Sequence, residues 1–202
     1  IGFPARQNLR FIPLTLANEK YFIQYSPYSY YNEHLICFHE DHFNMRINRA
    51  TFEELIDFID ILPHYFIGRN AGLPIVGGSI LNHQHFQGGK AILPMENATE
   101  NFIKKIDGVD VYRLNWPMSV IRLKSTSKQK IVDVATNIFN NWLDYENKDL
   151  YIINSKDDIH NTITPIVRYK NNMYEFDLVL RNNITSESRP NGVFHPRSDY
   201  WH

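Results

Sequence analysis

Gly77-Gly78-Ser79-Ile80-Leu81-Asn82-His83-Gln84-His85-Phe86-Gln87-Gly88-Gly89 is the stretch on which the reading of this chain turns. Side chains of an extended strand alternate between faces. The spacing therefore sets His83, His85 and Gln87 on one side and Gln84 and Phe86 on the other. Two imidazoles and an amide in one line suit a surface that meets a polar ligand better than they suit a core. Glycine pairs at both ends, Gly77-Gly78 and Gly88-Gly89, let an anion such as phosphate come close to main-chain N–H groups.

Working outward, strands are predicted over 21–25 and 34–39, around the aromatic turn Ser26-Pro27-Tyr28-Ser29-Tyr30-Tyr31-Asn32. A helix is predicted over 51–67. Thr51 caps it, Glu54 completes a capping box, and Phe52, Leu55, Ile56, Ile59 and Leu62 follow the helical period. Pro63 kinks or ends it. The alternating segment 81–93 follows the glycines, and a second helix is expected over 97–106. A third, over 128–145, aligns Ile131, Val134, Ala135, Ile138, Phe139 and Trp142 on one face. Further strands are expected near 109–114, 119–123, 151–154, 162–169 and 174–181. Strands mixed with a few long helices predict an α+β fold, an antiparallel sheet with packed helices, rather than a doubly wound parallel sheet. A boundary near 124–128 divides residues 1–124, with the His-x-His-x-Gln motif, from a second α+β region, 125–202.

Bulk properties narrow the function. A length of 202 residues, with 43% hydrophobic and 21% charged, is enough for a substantial core. A net charge of −1 gives no electrostatic footprint for a nucleic acid or an anionic membrane. The single cysteine, Cys37, sits in the apolar run Leu35-Ile36-Cys37-Phe38 and reads as a buried thiol. No apolar run approaches the ~18 residues of a membrane span. A soluble cytoplasmic protein is expected.

Within the central motif, His85 is the candidate nucleophile. A neutral imidazole attacks phosphorus through one nitrogen when the other N–H is held by an acceptor that fixes the tautomer. His83 orients the site or packs behind it. The Gln87 amide donates to a non-bridging phosphoryl oxygen without carrying a transferable proton. A phosphate leaving group, with a last pKa near ~6, departs as an anion and needs little acid assistance. Such a site favours transfer between two phosphate-bearing partners. The same His-x-His spacing also serves two zinc ligands, or histidines with no special role.

Around this motif the chain resembles the histidine-triad superfamily, and within it the bacterial type II galactose-1-phosphate uridylyltransferases. The resemblance extends over 4–10, Gln24-Tyr25-Ser26-Pro27-Tyr28, Tyr31-Asn32-Glu33-His34, Pro63-His64-Tyr65-Phe66-Ile67-Gly68, 73–89, Trp116-Pro117-Met118-Ser119-Val120-Ile121-Arg122, 160–168 and Asp177-Leu178-Val179-Leu180-Arg181-Asn182-Asn183. It implies a histidine-triad-like fold and a ping-pong reaction. His85 takes UMP from UDP-glucose, releases glucose 1-phosphate, and passes the uridylyl group to galactose 1-phosphate to give UDP-galactose. Gln87 matches the family's glutamine in place of the triad's last histidine. Asn70 and Ser79 fall near positions that contact nucleotide phosphate or ribose in relatives; Gly77 and Gly78 are candidate substrate contacts through the close phosphate approach given above, and Asn161, Arg168 and Arg181 are candidates for sugar-phosphate contacts. The implied partners are UDP-glucose, UDP-galactose and hexose 1-phosphates, with no nucleic acid and no membrane; homo-oligomerisation is left open. No cofactor is implied.

Two features depart from the family. Relatives carry Ser-His-Asp or Ser-His-Glu where this chain has Asn82-His83-Gln84, although Gln84 should face away from the site. The chain also resembles an internal or C-terminal portion. It starts after an N-terminal part that often holds Cys-x-x-Cys and stops soon after Phe194-His195-Pro196. Any structural zinc of an intact relative would draw His42 and His83 from this portion, which is otherwise expected to hold no metal. A histidine-triad hydrolase or phosphorylase, and a non-catalytic nucleotide- or metal-binding module, are the competing readings.

Overall fold

Two-residue turns set three hairpins among the described residues. Ala17-Asn18, Asp107-Gly108 and Asn171-Asn172 all have positive φ, the backbone twist that lets antiparallel strands reverse in two residues. The computed structural model describes residues 9–77, 80–154 and 158–195. In chain order their strands are β1 (Phe11–Leu16), β2 (Glu19–Tyr25), β3 (Leu35–His39), β4 (Phe66–Gly68), β5 (His85–Gly89), β6 (Glu100–Ile106), β7 (Val109–Leu114), β8 (Val120–Ser125), β9 (Asn161–Lys170) and β10 (Met173–Asn182). Helix α1 (Arg49–Ile61) lies between β3 and β4, and α2 (Lys128–Leu143) between β8 and β9. The strands form one antiparallel sheet in the order β1-β2-β3-β5-β4-β9-β10-β8-β7-β6. The expected α+β class, a histidine-triad-like sheet with packed helices, is the one that forms. The boundary expected near 124–128 begins inside β8, and β9 and β10 from beyond it lie between β4 and β8.

Register explains the two faces. Ile23 pairs Cys37 and Cys37 pairs Phe86; Ile67 pairs Val167, then Phe176, Leu123 and Val111 in turn. This apolar row faces both helices, which contribute Phe52, Leu55 and Ile59 from α1 and Ile131, Val134 and Ala135 from α2. Each Val, Leu, Ile or Phe among them stabilises the fold by roughly 1.5–3 kcal/mol when fully buried. Among the described residues the opposite face carries no α-helix. Under β8–β10 it is closed by the 3-10 turn Pro94–Asn97, whose Met95 packs with Leu114, Val120 and Val179. Below that turn lies a buried ion-pair lattice. Arg122 donates to Asp177 at 2.6 and 2.9 Å and Arg168 donates to Asp177 at 2.6 Å, with Glu175 beside them. No helix of the described residues is long and apolar enough to cross a membrane.

Local details differ from the sequence expectations. Asn48, not Thr51, caps α1: its Oδ1 accepts from the Thr51 N–H at 3.1 Å, and the Thr51 hydroxyl accepts in return from the Asn48 N–H. The helix stops at Ile61, before Pro63, so 66–68 is free to form β4. The helix expected over 97–106 does not form: Glu100–Ile106 is strand β6, because the Asp107-Gly108 turn folds it against β7. Residues 151–154 form no strand and contribute only the isolated bridge of Ile152 to Asn147. The alternating segment 81–93 is a regular strand only over His85–Gly89.

Candidate active site

The motif strand follows the predicted alternation. His83, His85 and Gln87 are half-buried, whereas Gln84 and Phe86 are buried against the core side. His85 and Gln87 therefore emerge on the helix-free face, in the middle of the sheet. Gln87 pairs Ile36 on one side and Gly68 on the other, and Gly68 pairs Ile166. Continuing that register by two residues sets Asn70 between His85 and Thr164.

The tautomer of His85 is fixed by the backbone. Its Nδ1 lies 2.8 Å from the His83 carbonyl oxygen, which can only accept, so Nδ1 carries the hydrogen and Nε2 the lone pair. Burial pushes the ring's pKa below its ordinary value, and the nearby Arg69 and His83 charges push the same way; the carbonyl hydrogen bond opposes them. The neutral, Nε2-basic ring is thus the favoured form. His83 donates from Nε2 to the His39 carbonyl at 2.8 Å and stacks on His42, with ring centroids 3.9 Å apart. Among the described residues there is no group of three or more His, Cys, Asp or Glu side chains placed to hold a metal.

Behind the motif runs a buried polar chain that alternation alone does not disclose. Arg69 donates to the Gln84 amide oxygen at 3.0 Å, and the Gln84 amide nitrogen donates to Glu54 at 3.3 Å. Gln84, 2% exposed, thus links a buried cation to a buried carboxylate directly beneath His85. Burial pushes Arg69 down to about 10 and Glu54 up, while their mutual attraction opposes both shifts.

The remaining candidates separate into groups. Asn70 lies two residues beyond β4, and the β4 register continued to it points it toward His85. Gly77 bridges Ala71, and a Cβ there would overlap the Ala71 carbonyl oxygen, so its glycine is required by the loop's own closure. Gly78 and Ser79 fall outside the described residues. Arg181 lies on the helix-free face opposite Thr162, and its buried Nε has no hydrogen-bond partner among the described residues. Arg168 is buried in the ion-pair lattice, its charge already met by Asp177 and Glu175. Asn161 is a correction. It is fully buried, donates both amide hydrogens to the Trp142 and Tyr145 carbonyls at 2.8 and 2.7 Å, and accepts from Asn182. Nothing on its amide is left for a sugar phosphate; it ties the end of α2 to the sheet.

The glycines after the motif also serve packing. A Cβ on Gly88 would lie 2.6 Å from the Phe66 carbonyl oxygen, and one on Gly89 would lie 2.6 Å from the Tyr31 ring. Close backbone approach is indeed their reason, but the approaching groups belong to the protein.

Comparison with known proteins shows the family. Residues 53–199 match the model of the family described as "Galactose-1-phosphate uridyl transferase, C-terminal domain". The galactose-1-phosphate uridylyltransferase of Clostridium acetobutylicum is 52% identical over 206 residues, covering 100% of this chain and 41% of that protein. Its Caldanaerobacter subterraneus counterpart is 52% identical over 211 residues with the same coverages, and that of Bacillus subtilis is 45% identical over 206 residues, covering 100% and 40%. This chain therefore spans about two fifths of the length of the curated relatives it matches. Among solved structures, a DUF4931 family protein from Bacillus cereus has a similar fold, with a TM-score of 0.53 at 12% identity over 82% of this chain and 83% of that one. With a family model that covers most of its length and relatives at about half identity across all of it, the chain belongs to the galactose-1-phosphate uridyl transferase C-terminal domain family.

Proposed function

We propose that this chain carries the uridylyl-transfer centre of a galactose-1-phosphate uridylyltransferase, moving UMP from UDP-glucose to galactose 1-phosphate through a covalent uridylyl-His85. The observation that carries the proposal is the 2.8 Å hydrogen bond from His85 Nδ1 to the His83 carbonyl, which leaves Nε2 as the free lone pair on a half-buried, neutral ring. Attack by Nε2 forms the N–P bond at the α-phosphorus and breaks its bond to the bridging oxygen, releasing glucose 1-phosphate. Galactose 1-phosphate then attacks the same phosphorus through a phosphate oxygen, breaks the N–P bond and leaves as UDP-galactose. Neither step requires a general acid, because each leaving group is stable as formed. That agrees with an amide, Gln87, beside the nucleophile. Its N–H groups stabilise charge developing on the non-bridging oxygens.

Asn70 on the same face, and Arg181 with its unpartnered Nε, are the described side chains best placed to meet substrate phosphate or sugar. Ser79 keeps the nucleotide-contact role that the family resemblance gives it, and Gly77 and Gly78 keep that of letting phosphate approach the backbone. Substrates of this class belong to the cytoplasm, the location this reading gives the protein. The test uses the full-length protein. Incubation with UDP-glucose labelled in the uridine should leave one uridylyl group on His85, and galactose 1-phosphate should discharge it as UDP-galactose. Free UMP as the main product would replace transfer by hydrolysis. A label on a different residue, or none, overturns the assignment of His85.

A further inference from the structure

We propose that His34 is a positioning residue for Gln87, holding its amide so that the NH2 group, and not the carbonyl, faces the reacting phosphate. The inference rests on the reading of His85 and Gln87 above. A free glutamine amide presents either end with nearly equal ease. Only the NH2 end stabilises an anionic oxygen, and the carbonyl end repels it.

The structure removes that choice. His34 is 1% exposed and immediately precedes β3, whose Ile36 pairs Gln87 in β5. The main-chain N–H of Tyr30 donates to His34 Nδ1 at 3.4 Å, which makes Nδ1 the acceptor and puts the ring hydrogen on Nε2. Nε2 lies 3.2 Å from Gln87 Oε1, so the imidazole donates to the amide oxygen. With Oε1 engaged, the Gln87 NH2 is the end left for a ligand. The imidazole is itself held. The main-chain carbonyl of His34 accepts from Ser26 N–H at 2.9 Å, Tyr31 packs on the His34 ring with centroids 4.4 Å apart, and Tyr31 in turn lies over Gly89. The aromatic turn, the second glycine pair and the site glutamine are thus one assembly around His34.

A double-mutant cycle on the full-length protein tests this, read as the single-turnover rate of uridylyl-protein formation at saturating UDP-glucose. His34→Leu should slow that rate about five- to tenfold, the worth of roughly one hydrogen bond. Substrate affinity should change little. His34→Asn, polar but too short to reach the amide, should behave like His34→Leu and covers the case in which leucine does not fold. His34→Gln, which can still donate, should recover most of the rate. In a Gln87→Ala background His34→Leu should cost nothing further, because the group it positions is gone. Equal losses in both backgrounds, or no loss on His34→Leu or His34→Asn while Gln87→Ala is slow, overturn the role of His34. A wild-type protein that forms no adduct overturns the functional reading itself and is recognisable before any His34 variant is made.

Discussion

The Nδ1 of His85 donates to the main-chain carbonyl of His83, two residues back in the same strand, at 2.8 Å. This contact aims Nε2 away from the backbone, and it demands little of the sequence, since any residue at 83 would supply a carbonyl. Burial, reinforced by Arg69, favours the neutral ring and pushes its pKa below the usual 6.5. The acid limb of kcat/KM for adduct formation should therefore have its midpoint below 6.5, and a midpoint at or above that value contradicts the assignment. Stability follows the same sign. As pH falls from 6.5, the unfolded chain takes up a proton on this ring that the folded chain still resists, so the folded state loses stability down to the lowered pKa and not above 6.5.

Asp177 is fully buried and accepts from two guanidiniums, those of Arg122 and Arg168. Its replacement by Asn leaves two buried cations short of an anion. Asp177→Asn should cost about 3–5 kcal/mol in urea unfolding, the penalty for breaking a buried pair. Arg168 lies in this lattice rather than on an open surface, so Arg168→Ala should lower stability by a comparable amount. If Arg168→Ala leaves stability intact and raises KM for the hexose phosphate, the lattice is not its main role.

Much of the fold is legible in the sequence because half-buried strands and amphipathic helices write their burial into period. The alternation read from His83 to Gln87 is the one the burial of the strand shows, and Ile131 to Phe139 mark α2. The misses cluster where burial writes nothing. β1 and β6 are the two edges of the sheet, and β6 has no buried residue between Glu100 and Ile106. Its Phe102, Ile103 and Ile106 therefore imitate a helical stripe, and only the Asp107-Gly108 turn reveals a hairpin. His34 is illegible for another reason. Its contact with Gln87 depends on the register of two strands 53 residues apart. Asn161 shows the converse error, since a polar residue in a family-like segment invites a ligand role although its hydrogens are spent inside the protein.

Asn161 gives a clean separation between those two roles. Loss of its two donated bonds and of the bond from Asn182 should make Asn161→Ala less stable by about 1–3 kcal/mol. Thermal unfolding of the variant measures this. At a temperature where the variant is folded, its KM for galactose 1-phosphate should match the wild type. A large KM increase at unchanged stability would restore the sugar-phosphate contact.

Gly89 and Tyr31 make a paired prediction. A Cβ at 89 would meet the Tyr31 ring carbons at 2.6 and 2.7 Å, with the Asn32 carbonyl oxygen at 3.0 Å. Gly89→Ala must therefore displace the ring, and overpacking of this kind costs about 1–3 kcal/mol. Removing the ring should relieve most of it, so Gly89→Ala should be far less destabilising in a Tyr31→Ala background. Strong non-additivity in urea unfolding is the expected result. A phosphate cradle formed by Gly88 and Gly89 predicts the opposite: Gly89→Ala would weaken nucleotide binding, leave stability unchanged and be indifferent to Tyr31. Calorimetric unfolding and UDP-glucose affinity of the four proteins in the cycle decide between steric packing under the aromatic turn and ligand approach.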